Sequence, residues 1–121
     1  MGEISEKIQI TGTRQSKDLT ALLDSGAQRN YVRSELFDGT KADEIGFTKY
    51  QGKHTTILAN QTLADGIRVN FIHLKVGELY LDEPEFIVMD DLNKDAIIGS
   101  AVMQQLKLIL DFTSDSAYPR L

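Results

Sequence analysis

The residues best suited to chemistry lie in Ala21-Leu22-Leu23-Asp24-Ser25-Gly26-Ala27. The apolar run Leu19 to Leu23 reads as a buried strand that delivers a carboxylate at its end. An acid there loses hydration unless its surroundings replace it. A small hydroxyl residue and a glycine directly after it let backbone amides and a hydroxyl approach the carboxylate closely. That arrangement suits a carboxylate held for proton transfer. Asp-Ser-Gly is also good turn chemistry, and on the tripeptide alone a plain turn is the better reading. The strand before it and Ala27 after it shift the balance. A second stretch, Asp95-Ala96-Ile97-Ile98-Gly99, is a short apolar strand stopped by glycine. Such a strand can cross close to another backbone, although alone it reads as an ordinary core strand.

The elements that must position these residues are mostly strands. Polar and apolar residues alternate over Lys7 to Thr11 and over Ile67, Val69 and Phe71. Ile72, Leu74 and Val76 continue with the phase shifted by one, which suggests a bulge or a change of face. Thr55 to Ala59, Glu78 to Leu81, Glu85 to Met89, Ala96 to Ile98 and Leu108 to Phe112 read as further strands. Turn signals stand at Gly12, Asp38-Gly39, Asp65-Gly66, Gly77 and Pro84. One helix is predicted over Ser100 to Leu106, with Ser100 as its cap. The stretch 113–121 is polar, carries Pro119 and is expected to be a loose tail. Short strands with frequent turns imply an all-β sandwich or barrel. At 121 residues, 1–121 is expected to be a single domain with a core of about 7–112.

Composition narrows the function. The net charge of -5 argues against general binding to nucleic acid or to anionic membrane surfaces. The chain has no cysteine, which excludes disulfides, zinc–thiolate sites and thiol catalysis. No apolar run approaches a membrane span, and the first residues lack a secretory h-region, so an intracellular, cytoplasmic location is expected. His54 and His73 are the only histidines, and no Ser-His-Asp order is suggested. Asp90, Asp91 and Asp95 lack the glycine and terminal glutamate of a calcium loop and read as a solvated acidic turn. Met89 and Met103 read as core residues. Neither a cofactor nor a metal is expected.

Together and in this order, the two stretches resemble the retropepsins, the proteases of retroviruses and gypsy-type retrotransposons and their cellular relatives. In that family Asp-Thr/Ser-Gly-Ala follows an apolar strand, and a hydrophobic-hydrophobic-Gly motif precedes a short helix and a final strand. Asp24-Ser25-Gly26-Ala27 matches the first motif and Ile97-Ile98-Gly99 the second. The resemblance runs from about Lys7 to Phe112. It implies a single-lobe acid-protease barrel with one short C-terminal helix, and an endopeptidase acting on peptides or a polyprotein. It casts Asp24 as the catalytic group, Ser25, Gly26 and Ala27 as its support, Ile97 as a pocket wall, and Ile98 and Gly99 as structural. Gln28 and Arg29 fall at substrate-binding positions. A flap hairpin is implied between the motifs, with Ala59-Asn60-Gln61 near its tip or, alternatively, Ala64-Asp65-Gly66.

The chain departs from the family at three places. Gln28 and Ser100 replace an acid–arginine pair common in retroviral enzymes, and Arg29 stands where an acid is frequent. Gln61 stands where the flap commonly has glycine. Family chemistry needs two carboxylates sharing a proton, and this chain has one Asp-Ser-Gly. The resemblance therefore implies a homodimer with one Asp24 from each copy. Two other readings stay open. One is a catalytically inactive dimerisation or peptide-binding module of the same fold. The other is an unrelated small β-barrel binding protein, which a structure separating Asp24 from Gly99 would favour.

Overall fold

The computed structural model describes residues 4–57, 63–106, 108–111 and 116–119. Among the described residues, eleven strands and two short helices follow one another in this order: β1 (Ile4–Thr11), β2 (Ser16–Leu23), β3 (Tyr31–Arg33), α1 (Ala42–Ile45), β4 (Thr48–Ile57), β5 (Leu63–Asn70), β6 (His73–Val76), β7 (Leu79–Asp82), β8 (Glu85–Met89), β9 (Ala96–Ile98), α2 (Ser100–Gln105), β10 (Leu108–Asp111) and β11 (Ser116–Pro119). Nine strands form one mixed sheet in the order β4-β5-β8-β3-β9-β2-β1-β6-β7. The expected β-rich fold is therefore present.

Alternation sorts this sheet into two faces. Ala21 and Leu23 of β2, Val32 of β3, Phe86 and Val88 of β8, and Ala96 and Ile98 of β9 belong to one buried apolar cluster, with Ile4, Ile8 and Ile10 of β1. Phe71 sits between Phe47 and Phe86, edge-on to both at 5.8 and 5.5 Å between ring centroids. Each fully buried large apolar side chain contributes roughly 1.5–3 kcal/mol, so this layer dominates the stability. Val102, Met103 and Leu106 of the α2 region close the cluster. Met89 is also buried, as expected of it, but on the other face from Val88.

Local chemistry explains several departures from expectation. A second helix, α1, was not anticipated. It is one turn, held by Ala42 and Ile45 against the core and by the Glu44 carboxylate, which accepts the Lys41 backbone N–H at 3.0 Å. In α2 the cap is Gly99, in extended conformation, and Ser100 is the first helical residue with no capping side-chain bond. The phase shift after Phe71 is neither a bulge nor a change of face within one strand. It marks the end of β5 and the start of β6, with Phe71 buried and Ile72 turned outward. Within the stretch expected to be a loose tail, Ser116 to Pro119 pairs antiparallel with β10, Leu108 opposite Pro119. Proline is tolerated at the end of a strand that has one neighbour.

The hairpin between the two sequence motifs is formed by β4 and β5. Ile57 pairs with Leu63 and His54 with Gly66, with an irregularity between Lys49 and Lys53. Asp65 and Gly66 are thus inside a strand and not at a tip. Ala59, Asn60 and Gln61 lie outside the described residues.

Candidate active site

Leu23 is the last residue of β2, and the Asp24 backbone N–H continues the ladder by donating to the Ile98 carbonyl at 3.0 Å. Beyond it the chain turns sharply: the Ala27 N–H donates to the Asp24 carbonyl at 3.1 Å. This turn brings the Gly26 N–H onto the Asp24 carboxylate, 2.9 Å from Oδ1. A Cβ at Gly26 would stand 3.2 Å from the same oxygen, so the small residue lets the backbone come this close. Asp24 is half-buried, and Ser25 is exposed with no hydrogen-bond partner among the described residues.

Strand β9 lies beside β2 in parallel, Leu22 opposite Ile97 and Leu23 opposite Ile98. Its Gly99 passes directly beneath the loop that follows Asp24. A Cβ there would meet the Arg29 carbonyl oxygen at 2.4 Å and the Ala27 carbonyl oxygen at 2.8 Å, both backbone atoms that cannot move aside. The two motifs are therefore in contact, and the Ser100 N–H seals them with a 2.7 Å bond to the Ala27 carbonyl. Ala101 adds a longer bond to the Gln28 carbonyl, at 3.4 Å. Gln28 itself is exposed.

A residue that sequence reasoning passed over completes the frame. Asn30 is the one buried polar side chain among the described residues, 5% exposed. Its Oδ1 accepts the Gly99 N–H at 3.0 Å, and its Nδ2 donates to the Glu85 carbonyl at 3.0 Å. Its own carbonyl accepts the Ile87 N–H at 2.8 Å. One amide thus ties the first motif, the second motif and β8 together. It does so where the usual acid–arginine pair is missing.

The face of the sheet opposite the core carries a second unforeseen feature. Leu22 pairs with Ile97, Ile97 with Tyr31, Tyr31 with Ile87, and Ile87 with Arg68. Directly paired residues project to one side, so these five form a row across β2, β9, β3, β8 and β5. Leu22, Ile97 and Tyr31 are half-buried, unlike the buried core residues on either side of them. Alternation carries Asp24 to the same side as Leu22. Ile97 was expected to be a pocket wall; Leu22 and Tyr31 were not singled out.

Arg29 and Arg68 both grip Glu85, at 2.9 and 2.8 Å. The hydrogen bond from Arg68 is the first cause that holds the Glu85 carboxyl below its ordinary value of 4.5; burial opposes it, and the charges of Arg68 and Arg29 add to it. A depressed value in the folded state stabilises the fold fully above pH 4.5, and that contribution is lost as pH falls through the depressed value. Denaturant melts of the wild type and Glu85→Gln are expected to show a stability gap that narrows as the solution is acidified. A gap that stays constant with pH would refute this linkage.

Among the described residues no group of three or more acidic or histidine side chains is arranged to hold a metal ion, and no helix is long and apolar enough to cross a membrane. His73 is on the surface, 2.9 Å from the Asp82 carboxylate, on a strand separated from β2 by β1.

With this geometry in hand, comparison with known proteins is specific. A family profile described as aspartyl protease matches residues 7–102. Among curated protein sequences none matches significantly. Solved structures that share the fold include the retroviral protease-like domain of Ddi1 from Leishmania major. That match has 15% identity and a TM-score of 0.66, covering 98% of this chain and 89% of that one. A retropepsin-like aspartic protease from Rickettsia conorii is similar at 15% identity and a TM-score of 0.58, covering 91% of this chain and 85% of that one. The match over most of the chain, on a fold that joins Asp24-Ser25-Gly26 to Ile98-Gly99, means that this chain belongs to the retropepsin-like aspartyl protease family.

Proposed function

We propose that the protein is an aspartic endopeptidase whose active site is completed by a second copy of the chain. The observation that carries this reading is the Asp24 carboxylate, held by the Gly26 N–H at a strand end and flanked by a half-buried apolar row. Each chain supplies one such carboxylate, and the family's reaction takes two. In aspartic-protease dyads generally, carboxylates ~3 Å apart cannot both ionise, so the pair shares one proton and titrates as a unit.

The ionised Asp24 takes a proton from a water molecule, whose oxygen bonds to the peptide carbonyl carbon. The protonated Asp24 of the other copy donates to the carbonyl oxygen as charge develops there. The resulting tetrahedral species breaks its C–N bond as a proton passes to the departing nitrogen. Gly26 holds the carboxylate oxygen in place. Ser25, exposed in one chain, bonds across the twofold axis beneath the pair. Leu22, Ile97 and Tyr31 form an apolar floor for substrate side chains, and the β4–β5 hairpin covers the bound peptide, with Ala59, Asn60 and Gln61 as further substrate-binding residues.

Subunit mixing tests the two-chain site. Wild type is equilibrated with rising amounts of Asp24→Asn chain, and peptide cleavage is measured. Random pairing halves the activity per wild-type chain at equal amounts, and leaves about a tenth at ninefold excess. Activity per wild-type chain that does not change with added mutant would sink the proposal.

A further inference from the structure

We propose that Asn30 is a positioning residue for the reaction, holding Asp24 through the single peptide group that joins Ile98 to Gly99. This rests on the peptidase reading above and adds to it the device that fixes the acid in place. The Asp24 backbone N–H donates to the Ile98 carbonyl at 3.0 Å. The Gly99 N–H donates to the Asn30 Oδ1 at 3.0 Å. That carbonyl and that N–H are the two ends of one planar peptide unit. The Asn30 Nδ2 in turn donates to the Glu85 carbonyl at 3.0 Å. Hydrogen bonds therefore run from β8, through one amide side chain and one peptide, to the residue that bears the carboxylate. Each bond in such a chain polarises the next.

The peptide is wedged between the Asp24 loop and the start of α2. Gly99 is buried, and a Cβ on it would meet the Arg29 and Ala27 carbonyl oxygens. Its own carbonyl accepts the Met103 N–H at 3.2 Å. Asn30 is the acceptor that sets the tilt of the Gly99 N–H. A buried N–H that loses its acceptor turns toward another. The Ile98 carbonyl at the far end of the same rigid unit then turns with it and carries Asp24 along. A displacement of about 1 Å at a reacting group lowers the rate by about 10²-fold. Asn30 thus acts on the carboxylate only through Gly99.

The choice of residue fits the task. One planar amide offers an acceptor and a donor side by side, and it stays neutral at every pH where two carboxylates could share a proton. A frame built on it does not titrate together with the acids it holds. The ionisable groups on the elements around it are Asp24 after β2, Arg29 next to it in the chain, Glu85 on β8 and Arg68 on β5; β9 and α2 carry none. Glu85 is held below 4.5 by the hydrogen bond from Arg68 first, so it stays ionised above that pH. Both arginines keep their charge throughout.

Asn30→Asp provides the test. When protonated, the introduced acid matches the amide, with a carbonyl for the Gly99 N–H and an O–H for the Glu85 carbonyl; when ionised, it loses the donor. Burial raises its titration into an assay range of about pH 5 to 7.5. Asn30→Asp, Asn30→Ala and the core control Val76→Ala are assayed for peptide cleavage across that range, each at a temperature where its melt shows it folded. Dividing kcat by the wild-type value at the same pH cancels the titration of the Asp24 pair. For Asn30→Asp the ratio is expected to lie within about 3-fold of one at the acid end and to fall about 10- to 100-fold toward neutral pH, with KM changed less. Asn30→Ala is expected to be low at every pH. Val76→Ala weakens only the core and keeps a ratio near one. Amide hydrogen exchange on the same proteins needs no catalysis. At neutral pH the Asp24 amide in Asn30→Asp is expected to exchange about 10-fold faster, relative to the amides of β6, than in wild type. A ratio flat across pH in Asn30→Asp would overturn the inference, and so would an Asp24 amide whose exchange keeps pace with β6 in both Asn30 variants. If wild type cuts no peptide, the peptidase reading fails by itself, and the exchange result alone decides whether Asn30 holds Asp24.

Discussion

Asp24→Asn is expected to lower peptide cleavage by about 10³-fold or more while leaving the fold in place. Asparagine has the same shape, and its Oδ1 accepts the Gly26 N–H that the carboxylate accepts now. The residue is half-buried at a strand end, so no large apolar contact is lost. An amide, however, neither takes a proton from water nor holds one to give to a carbonyl, and a dimer of mutant chains lacks both groups. Cleavage of a mixed peptide library from acid to neutral pH, beside a thermal melt of each protein, reads the two effects separately. Peptidase activity retained in a folded Asp24→Asn protein would remove Asp24 from the mechanism. A wild type that is itself silent would shift the weight to a pairing or peptide-binding module of the same fold.

Asn30→Ala is expected to cost the fold more than any substitution in the Asp24 loop. It removes the acceptor of the Gly99 N–H and the donor to the Glu85 carbonyl at one stroke. Each buried polar group left without a partner costs about 1–3 kcal/mol, so the pair costs about 2–6 kcal/mol. That is a large share of the roughly 5–15 kcal/mol available to a domain. A fall in Tm of about 10 °C or more should follow. Asn30→Asp does not rescue it, because the carboxylate keeps the acceptor but loses the donor and buries a charge. A melt within a degree or two of wild type would show that Gly99 and Glu85 do not depend on this side chain.

What could be read in the sequence follows from the range of the forces involved. The strand before Asp24, the strand before Gly99 and the helix after it were legible, because alternation and turn chemistry are local. Residues 85–89 and 96–98 were assigned their strand limits as found. The row from Leu22 to Tyr31 was not legible. It exists only through the register between β2, β9 and β3, and no local pattern fixes that register. Asn30 was not singled out, since asparagine is common in turns; its burial comes with the contact its side chain makes to β8. Helix α1 was hidden by its length of four residues, too short to show a period. Strand β11 was hidden by its composition, for Ser-Ala-Tyr-Pro carries little β signal of its own and pairs because β10 lies beside it.

The pairing of β2 with β9 joins Ala21 to Ala96. During synthesis the strand that bears Asp24 leaves the ribosome long before its neighbour does. At about 5–20 residues per second, several seconds separate them. Contacts of such long sequence separation form slowly even in a finished chain. Until β9 and α2 arrive, the loop after Asp24 has neither Gly99 beneath it nor the Ser100 N–H to seal it. A nascent chain therefore carries its acid without the frame that holds it in the folded protein.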